Sequence, residues 1–398
     1  MRIGVPREQS TRERRVALTP AGTAALVADG HEVHVEVGAG LKAGHTDADY
    51  RDEGATVAQR SAVIGTDGVI IQVNGPTEAD LGGPEWQGLG GGHTLVAQHD
   101  PLWLPDRAAA LAGTGATIVS LELIPRTTKA QSMDVLSSAA TVAGYEAALL
   151  AASRINKLLP MLMTAAGTVP PSRFVILGAG VAGLQAIATA RRLGAVVEGY
   201  DIRPAAMEQI QSLGAKPIEL TLDTDRAEGA GGYAAEQTEE LNRRQNELLT
   251  PYIAEADAVI TTAAIPGAAS PELITTEMVE AMRPGSIIID LAAERGGNCR
   301  MSEPDDEVVH EGVVILGPTD LTSRAAATSS QMFSNNVISL LRHLAPDGEL
   351  TLDPDDEITV GTVVGRDGAV VHPAVMAKLD PPVPDPGAHD ETKEGTAP

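Results

Sequence analysis

The chain has 398 residues, enough for two domains with full cores, and its 43% hydrophobic content is that of a globular protein. Its formal charge is −25, with 54 Asp and Glu spread along the chain against 29 Lys and Arg, which argues against a nucleic-acid-binding surface. Such a balance reads as a solvated acidic coat suited to high salt, with an acidic patch for a basic partner as the alternative.

Residues 1–125 alternate short apolar runs with helical stretches. Residues 2–5 read as a strand. Residues 19–29 read as a helix, with Thr19 as N-cap, Pro20 in the first turn and Gly30 beyond its end. Residues 31–37 alternate like a strand, and 69–73 form an apolar run that ends in the turn Asn74-Gly75-Pro76. Residues 94–96 and 116–120 continue the rhythm, so this half is a complete α/β unit. Residues 125–138 read as a linker that becomes a helix running to about residue 156. Gln131, Asp134 and Ser138 would then share a face at i, i+3, i+7. The plain alternative is a capped, solvated helix start.

The stretch 174–201 organises the rest. Phe174-Val175-Ile176-Leu177 has the length and branching of a buried parallel strand, and Gly178-Ala179-Gly180-Val181-Ala182-Gly183 follows at once. In this GxGxxG pattern Gly178 permits the tight turn. Gly180 lets a pyrophosphate approach the backbone, and Gly183 lets the helix pack on the strand. The helix N-terminus offers free N–H groups to the phosphates. Asp201 ends the next strand, where a carboxylate accepts from a ribose 2′-OH and repels a 2′-phosphate. NAD is therefore favoured over NADP, although Arg203 nearby is a residue type that holds a 2′-phosphate. The span between Arg173 and Arg191 is uncharged, but its glycines and strand-turn-helix pattern argue against a membrane helix.

Residues 216–220 offer a third strand. Residues 221–250 are polar and include Gly229-Ala230-Gly231-Gly232-Tyr233, a connection longer than usual and expected to be a lid or disordered. Strands are expected at 257–261, 287–290 and 313–316. The small-residue loop 262–267 lies at a strand's carboxyl end, where open parallel sheets bind ligands. Helices follow from about residue 321, one of them over 332–344. Residues 349–371 suggest a hairpin region turning at 365–368, and a disordered tail is expected past residue 380. Cys299 is the single cysteine, so no disulfide framework or Cys-based metal site forms within the chain. That suits a reducing cytoplasm, and the residue reads as packed rather than nucleophilic. The opening MRIGVPRE lacks a signal-peptide pattern, and no run of about 18 apolar residues predicts a membrane span. With aromatics at 2%, the core must be built from Val, Leu, Ile and Ala.

MRIGVPRE…RRVALTP resembles both alanine dehydrogenase and the α subunit of proton-translocating NAD(P) transhydrogenase. PRTTKAQSMDVLSSAATVAGYEAA, GAGGYAAE, LITTEMVEAMRPGSIIIDLAAERGGNC and LTLDPDDEITVGTVVGRDGAVVHP resemble the transhydrogenase member specifically, and together the likeness extends to about His372. The resemblance implies an α/β fold of two Rossmann-like domains with parallel sheets, joined by long helices, with a cleft between them. The expected division is 1–136 plus 325–378, and 137–324, with a tail over 380–398. It also implies a chain that binds NAD(H), usually as a homodimer, and transfers hydride to NADP(H) on a partner subunit. A membrane-embedded subunit couples this to proton movement, so the chain is expected at the inner face of the cell membrane as the split form of the α subunit. Matched residue by residue, Arg126, Gln131, Asp134 and Ser137 would lie around the nicotinamide, with Ser132, Met133 and Leu136 beside them. Gly178, Gly180, Val181, Ala182 and Gly183 would hold the pyrophosphate, and Asp201, Ile202 and Arg203 the ribose. Gly232 and Tyr233 would cover the site, and Ala263 and Ala264 would line it.

Two departures stand out. Lys129 occupies a position that is often Arg in the family, and Gln72–Pro76 replaces a Lys-Val start. The rival enzyme, alanine dehydrogenase, would use Arg15 for a substrate carboxylate. It also needs a Lys where this chain has Asn74, and a His that His99 matches about one residue out of register. A non-catalytic NAD-binding regulatory subunit fits the dinucleotide fingerprint equally well.

Overall fold

The computed structural model describes residues 1–65, 67–220 and 239–380, so Gly232, Tyr233 and the tail past residue 380 lie outside the described residues. Two α/β domains are present. The first is built on β1 (Arg2–Val5), β2 (Glu32–Glu36), β3 (Thr56–Ala58), β4 (Gly68–Asn74), β5 (His93–Gln98) and β6 (Thr117–Ser120). A small hairpin, β7 (Leu162–Thr164) and β8 (Gly167–Val169), stands apart. The second domain is built on β9 (Arg173–Leu177), β10 (Val196–Tyr200), β11 (Lys216–Pro217), β12 (Ala258–Thr261), β13 (Ile287–Asp290), β14 (Glu307–His310) and β15 (Val313–Leu316). The chain then returns, and β16 (Val363–Arg366) and β17 (Ala369–Val370) join the first sheet.

The first sheet runs β17-β16-β6-β5-β4-β1-β2-β3 and the second β11-β10-β9-β12-β13-β15-β14. Pairing is parallel except at β16, β17 and β14. In each, the chain leaves its first strand in one direction and its fourth in the other, which opens a crevice at the carboxyl ends.

Burial follows from side-chain alternation. Phe174 and Ile176 face a core shared with Ala147, Ala148 and Ala151 of the connecting helix Val135–Arg154, whereas Val175 and Leu177 face Leu249 and Ile253. Both faces of a parallel strand are thus dry, which is why β9 reads as a continuous apolar run. The return helix Ala326–Leu344 packs Val337, Leu340 and Leu341 against Ile3, Val33 and Leu26 of the first domain.

The connecting helix is long and apolar enough, by length and composition, to cross a membrane, although Ser, Thr and Gly interrupt its apolar run. Here it lies along the helix Val181–Arg192, and the crossing is tight. A Cβ on Gly144 would be 2.0 Å from the Ala182 carbonyl oxygen.

Thr19 caps its helix as expected, accepting from the Gly22 N–H. Three expectations change. The helix after the linker starts at Val135, because Asp134 is its N-cap and Gln131–Met133 is a separate 3-10 turn; one continuous helical face for Gln131, Asp134 and Ser138 is therefore not formed. Residues 349–371 are not all hairpin. The Asp356 carboxylate accepts from the Thr359 N–H and winds Glu357–Thr362 into a helix before β16 begins. The third strand of the second domain covers only Lys216–Pro217, with the Ile218 N–H making a last bond to the Gly199 carbonyl at 2.8 Å. β3, β14 and the β7–β8 hairpin have no counterpart among the elements expected from the sequence.

Candidate functional site

A cleft of about 1410 Å³ lies between the domains at the carboxyl ends of both sheets. The second domain contributes the glycine turn. Gly178 has φ of +95°, the left-handed region that glycine adopts without strain, and its carbonyl accepts from Thr262 Oγ1 at 3.0 Å. A Cβ on Gly183 would be 1.8 Å from that same carbonyl, so Gly183 is needed for the turn to close and does not itself line the cleft. A Cβ on Gly180 would meet no atom within 4 Å among the described residues. Gly180 therefore faces open space, with Val181 and Ala182 behind it at the helix N-terminus.

Asp201 directly follows β10 and is buried. Its Oδ2 accepts from the Ala179 N–H at 2.7 Å, which pins the glycine turn from behind. Its two oxygens also take the Arg203 fork, Nε on Oδ1 and Nη2 on Oδ2, each at 2.9 Å. The guanidinium that could have argued for a 2′-phosphate is thus oriented by the acid that repels one. Ile202 and Arg203 line the cleft with it.

At the end of β12, Ala263 and Ala264 line the wall. Their loop is held by Asn298, which accepts from the Ala263 N–H at 3.0 Å and donates to the Ala263 and Pro271 carbonyls, both at 2.8 Å. Asp290 in turn accepts from Thr261 Oγ1, Ser302 Oγ and the Ala292 and Cys299 N–H groups. Sequence reasoning missed both residues. The signal available was an acid closing the apolar run Ile287-Ile288-Ile289, followed by Gly-Gly-Asn.

The first domain supplies the opposite wall. Arg126, Asp134, Leu136 and Ser137 line it. The Asp134 carboxylate accepts from the Ser137 N–H at 2.8 Å and from Ser137 Oγ at 2.6 Å, so the pair forms one capping unit at the cleft edge. Gln131 is exposed and lines an adjoining hollow of about 550 Å³ that shares Arg126, Asp134 and Ser137 with the cleft. Met133 is buried in the first-domain core. Ser132 is exposed, with its carbonyl engaged by Asn336. Neither Ser132 nor Met133 lines the cleft or the hollow.

The domains also meet across the cleft at Asp100, a residue with φ of +53°. Its N–H is held by Glu122 at 2.8 Å and its carboxylate by Arg295 at 2.6 Å, with Trp103 5.4 Å from the guanidinium. Burial pushes the Glu122 carboxyl above its ordinary range.

In the first domain the corresponding crevice is filled by the chain itself. Glu8 accepts from the Val73 and Asn74 N–H groups at the end of β4; burial, with the Glu13 charge adding, pushes its carboxyl up to about 8. Glu13 grips Arg15 through two bonds of 2.9 and 2.7 Å and also accepts from Asn74 Nδ2 and Ser323 Oγ. Burial alone would raise the Glu13 carboxyl, but the Arg15 guanidinium outweighs it and holds it at about 2. The Arg15 fork is thereby committed within the protein. His99 is fully buried against Gly75, and burial with the Arg107 charge pushes its pKa down to about 3. Cys299 is buried and its thiol is pushed up to about 12, so it is packed and not nucleophilic.

Residues 4–143 match the alanine dehydrogenase/PNT N-terminal domain and 147–373 the C-terminal domain of the same family. The chain is 45% identical over 384 residues to the first portion of the split NAD(P) transhydrogenase subunit alpha of Rhodospirillum rubrum, covering 95% of this chain and 100% of that one. The solved structure of a transhydrogenase from Sinorhizobium meliloti superposes with a TM-score of 0.81 at 40% identity, covering 94% of this chain and 100% of that one. An L-alanine dehydrogenase structure is similarly shaped, with a TM-score of 0.79, but shares 26% identity over 96% of this chain and 99% of that one. With the family matched across nearly its whole length and a dinucleotide-type turn opening on its cleft, the chain belongs to the alanine dehydrogenase/PNT family.

Proposed function

We propose that this chain is the NAD(H)-binding α subunit of a proton-translocating NAD(P) transhydrogenase, working with NADP(H) bound on a partner subunit. One observation carries the reading. The open Gly180 turn, backed by Asp201, faces a polar wall of Arg126, Asp134 and Ser137 across a single cleft. At about 1410 Å³ the cleft exceeds the ~300–1,000 Å³ usual for small-ligand pockets, which suits a dinucleotide. The pyrophosphate would lie on Gly180, Val181 and Ala182, and the adenosine ribose on Asp201.

When bound, the reduced nicotinamide of NADH would supply the hydride. The chain's own task is to orient the ring and exclude water, and it needs no general base. Arg126, Gln131, Asp134 and Ser137 would do the orienting, with Leu136 packing beside them. Gln131 lines the adjoining hollow beside Arg126, Asp134 and Ser137. The partners in this reading are an NADP-binding subunit, a membrane-embedded subunit and a second copy of the chain, assembled at the inner face of the membrane. The division into 1–136 plus 325–378 and 137–324 is supported by β16, β17 and the return helix joining the first domain. The charge of −25 supports salt adaptation.

The alanine dehydrogenase reading requires Arg15 to take a substrate carboxylate, and its fork is on Glu13 instead. Membranes from a strain lacking the chain, given purified chain at high salt, should regain NADH-dependent reduction of an NADP analogue. Oxidation of NADH by the chain alone with pyruvate and ammonium would overturn the reading.

A further inference from the structure

Behind the loop that carries Gln131 and Asp134 runs the return helix, Ala326–Leu344. Asn336 on this helix is buried, and its Nδ2 donates to the Ser132 carbonyl at 2.8 Å, a contact spanning 204 residues of chain. Its Oδ1 has no partner among the described residues. Turning the amide over would set its oxygen against the Ser132 carbonyl, two acceptors face to face, so the donor orientation is the one that holds. The helix neighbours Phe333, Val337 and Leu340 are buried and apolar. A half-satisfied amide among them costs stability that a leucine would not. What the amide gains there is the turn.

That turn needs holding. Gln131–Met133 is a three-residue 3-10 turn without a side-chain cap, a short element of weak intrinsic stability. It leads directly into Asp134, the N-cap of the connecting helix. Fixing the Ser132 carbonyl fixes the Ser132–Met133 peptide plane, and with it the directions of Gln131 on one side and Asp134 on the other. The loop is also tied by Lys129 on Asp356 at 2.9 Å and Thr127 on Glu357 at 3.3 Å, both exposed, and Met133 packs into the first-domain core. Exposed ties of this kind contribute little. Asn336 adds to the apolar packing of Met133 a hydrogen bond from a buried side chain, which fixes the direction of the peptide rather than only its place.

We propose that Asn336 is a positioning residue for hydride transfer, holding the Ser132 carbonyl so that Gln131 and Asp134 keep their places beside the nicotinamide. The proposal rests on the reading of those two residues given above. It would not touch the pyrophosphate or ribose subsites, so binding and transfer should separate.

The test uses the full chain with partner-containing membranes and two variants. Asn336→Leu is close in shape and cannot donate; Asn336→Asp is nearly isosteric and decides the matter if the first fails to fold. Hydrogen exchange over residues 131–137, NADH affinity and the NADH-to-NADP-analogue transfer rate are read together. The expected result is faster exchange, NADH affinity within about twofold, and transfer slowed about tenfold, since a small misplacement of oriented groups costs rate rather than binding. Unchanged exchange overturns the anchoring. Faster exchange with unchanged transfer overturns the positioning role if Gln131→Ala still slows transfer. If Gln131→Ala has no effect either, the nicotinamide-side reading is what fails, and the role falls with it.

Discussion

The two domains share a topology and differ in what their first connection does with it. In both, the crevice lies between the first strand and the fourth, β1 and β4 in one, β9 and β12 in the other. After β9 the chain turns at once through Gly178–Gly183 into a helix, and the crevice stays open. After β1 it wanders through residues 6–19 before its helix. That loop lays Glu8 on the N–H groups at the end of β4 and locks Glu13 to Arg15. A parallel sheet therefore offers a binding crevice by its winding alone, and the first loop decides whether a ligand or the protein's own carboxylate occupies it.

The largest effects should come from breaking the filled crevice. Replacing Glu13 by Ala leaves Arg15 buried without its partner. It should cost about 3–5 kcal/mol in denaturant unfolding while NADH affinity of the folded fraction stays unchanged. A concurrent loss of NADH affinity would mean that the two crevices are coupled. The same pair sets an acid limit. The Glu13 carboxyl is held at about 2, below its ordinary 4.5, so its contribution is present above pH 4.5 and is lost as pH falls toward 2. Thermal unfolding from pH 6 to pH 3 should fall more steeply in the parent than in Glu13→Gln.

The open crevice makes the opposite prediction, and its two glycines should behave differently. Gly183→Ala drives a Cβ into the Gly178 carbonyl. It should lower stability by about 1–3 kcal/mol and weaken NADH binding together. Gly180→Ala meets no atom among the described residues, so calorimetry should find weaker NADH binding with the melting temperature within about a degree of the parent. Asp134→Ala, the loss of one N-cap, should cost about 1 kcal/mol of stability. Any larger fall in transfer rate than in stability would then report the residue's place at the cleft.

Much of the second domain was legible because its chemistry is local. A run such as Ile287–Asp290 is a strand by composition, and a glycine turn followed by an acid is read within thirty residues. The open space at Gly180 and the acid at Asp201 followed from the same stretch. What stayed hidden depends on distant chain. Glu8, Glu13 and Arg15 acquire their meaning from Asn74 and Ser323, and Asn336 from Ser132, contacts with no signature in spacing. Gln131, Asp134 and Ser138 read as one helical face because periodicity runs through a cap, whereas Asp134 accepting from Ser137 starts the helix afresh. β14 escaped notice as a polar, antiparallel edge strand whose pairing with β15 gives no long apolar run.

The most direct measurement of the central claim is isotopic. Membranes carrying the partner subunits, reconstituted with the full chain, would be given NADH deuterated at the transferable C4 position together with an NADP analogue. Direct transfer between two nicotinamides predicts that the deuterium appears in the reduced analogue, and that Gly180→Ala slows its appearance at subsaturating NADH. Hydrogen drawn from solvent, or reduction that proceeds equally well without the chain, would contradict it.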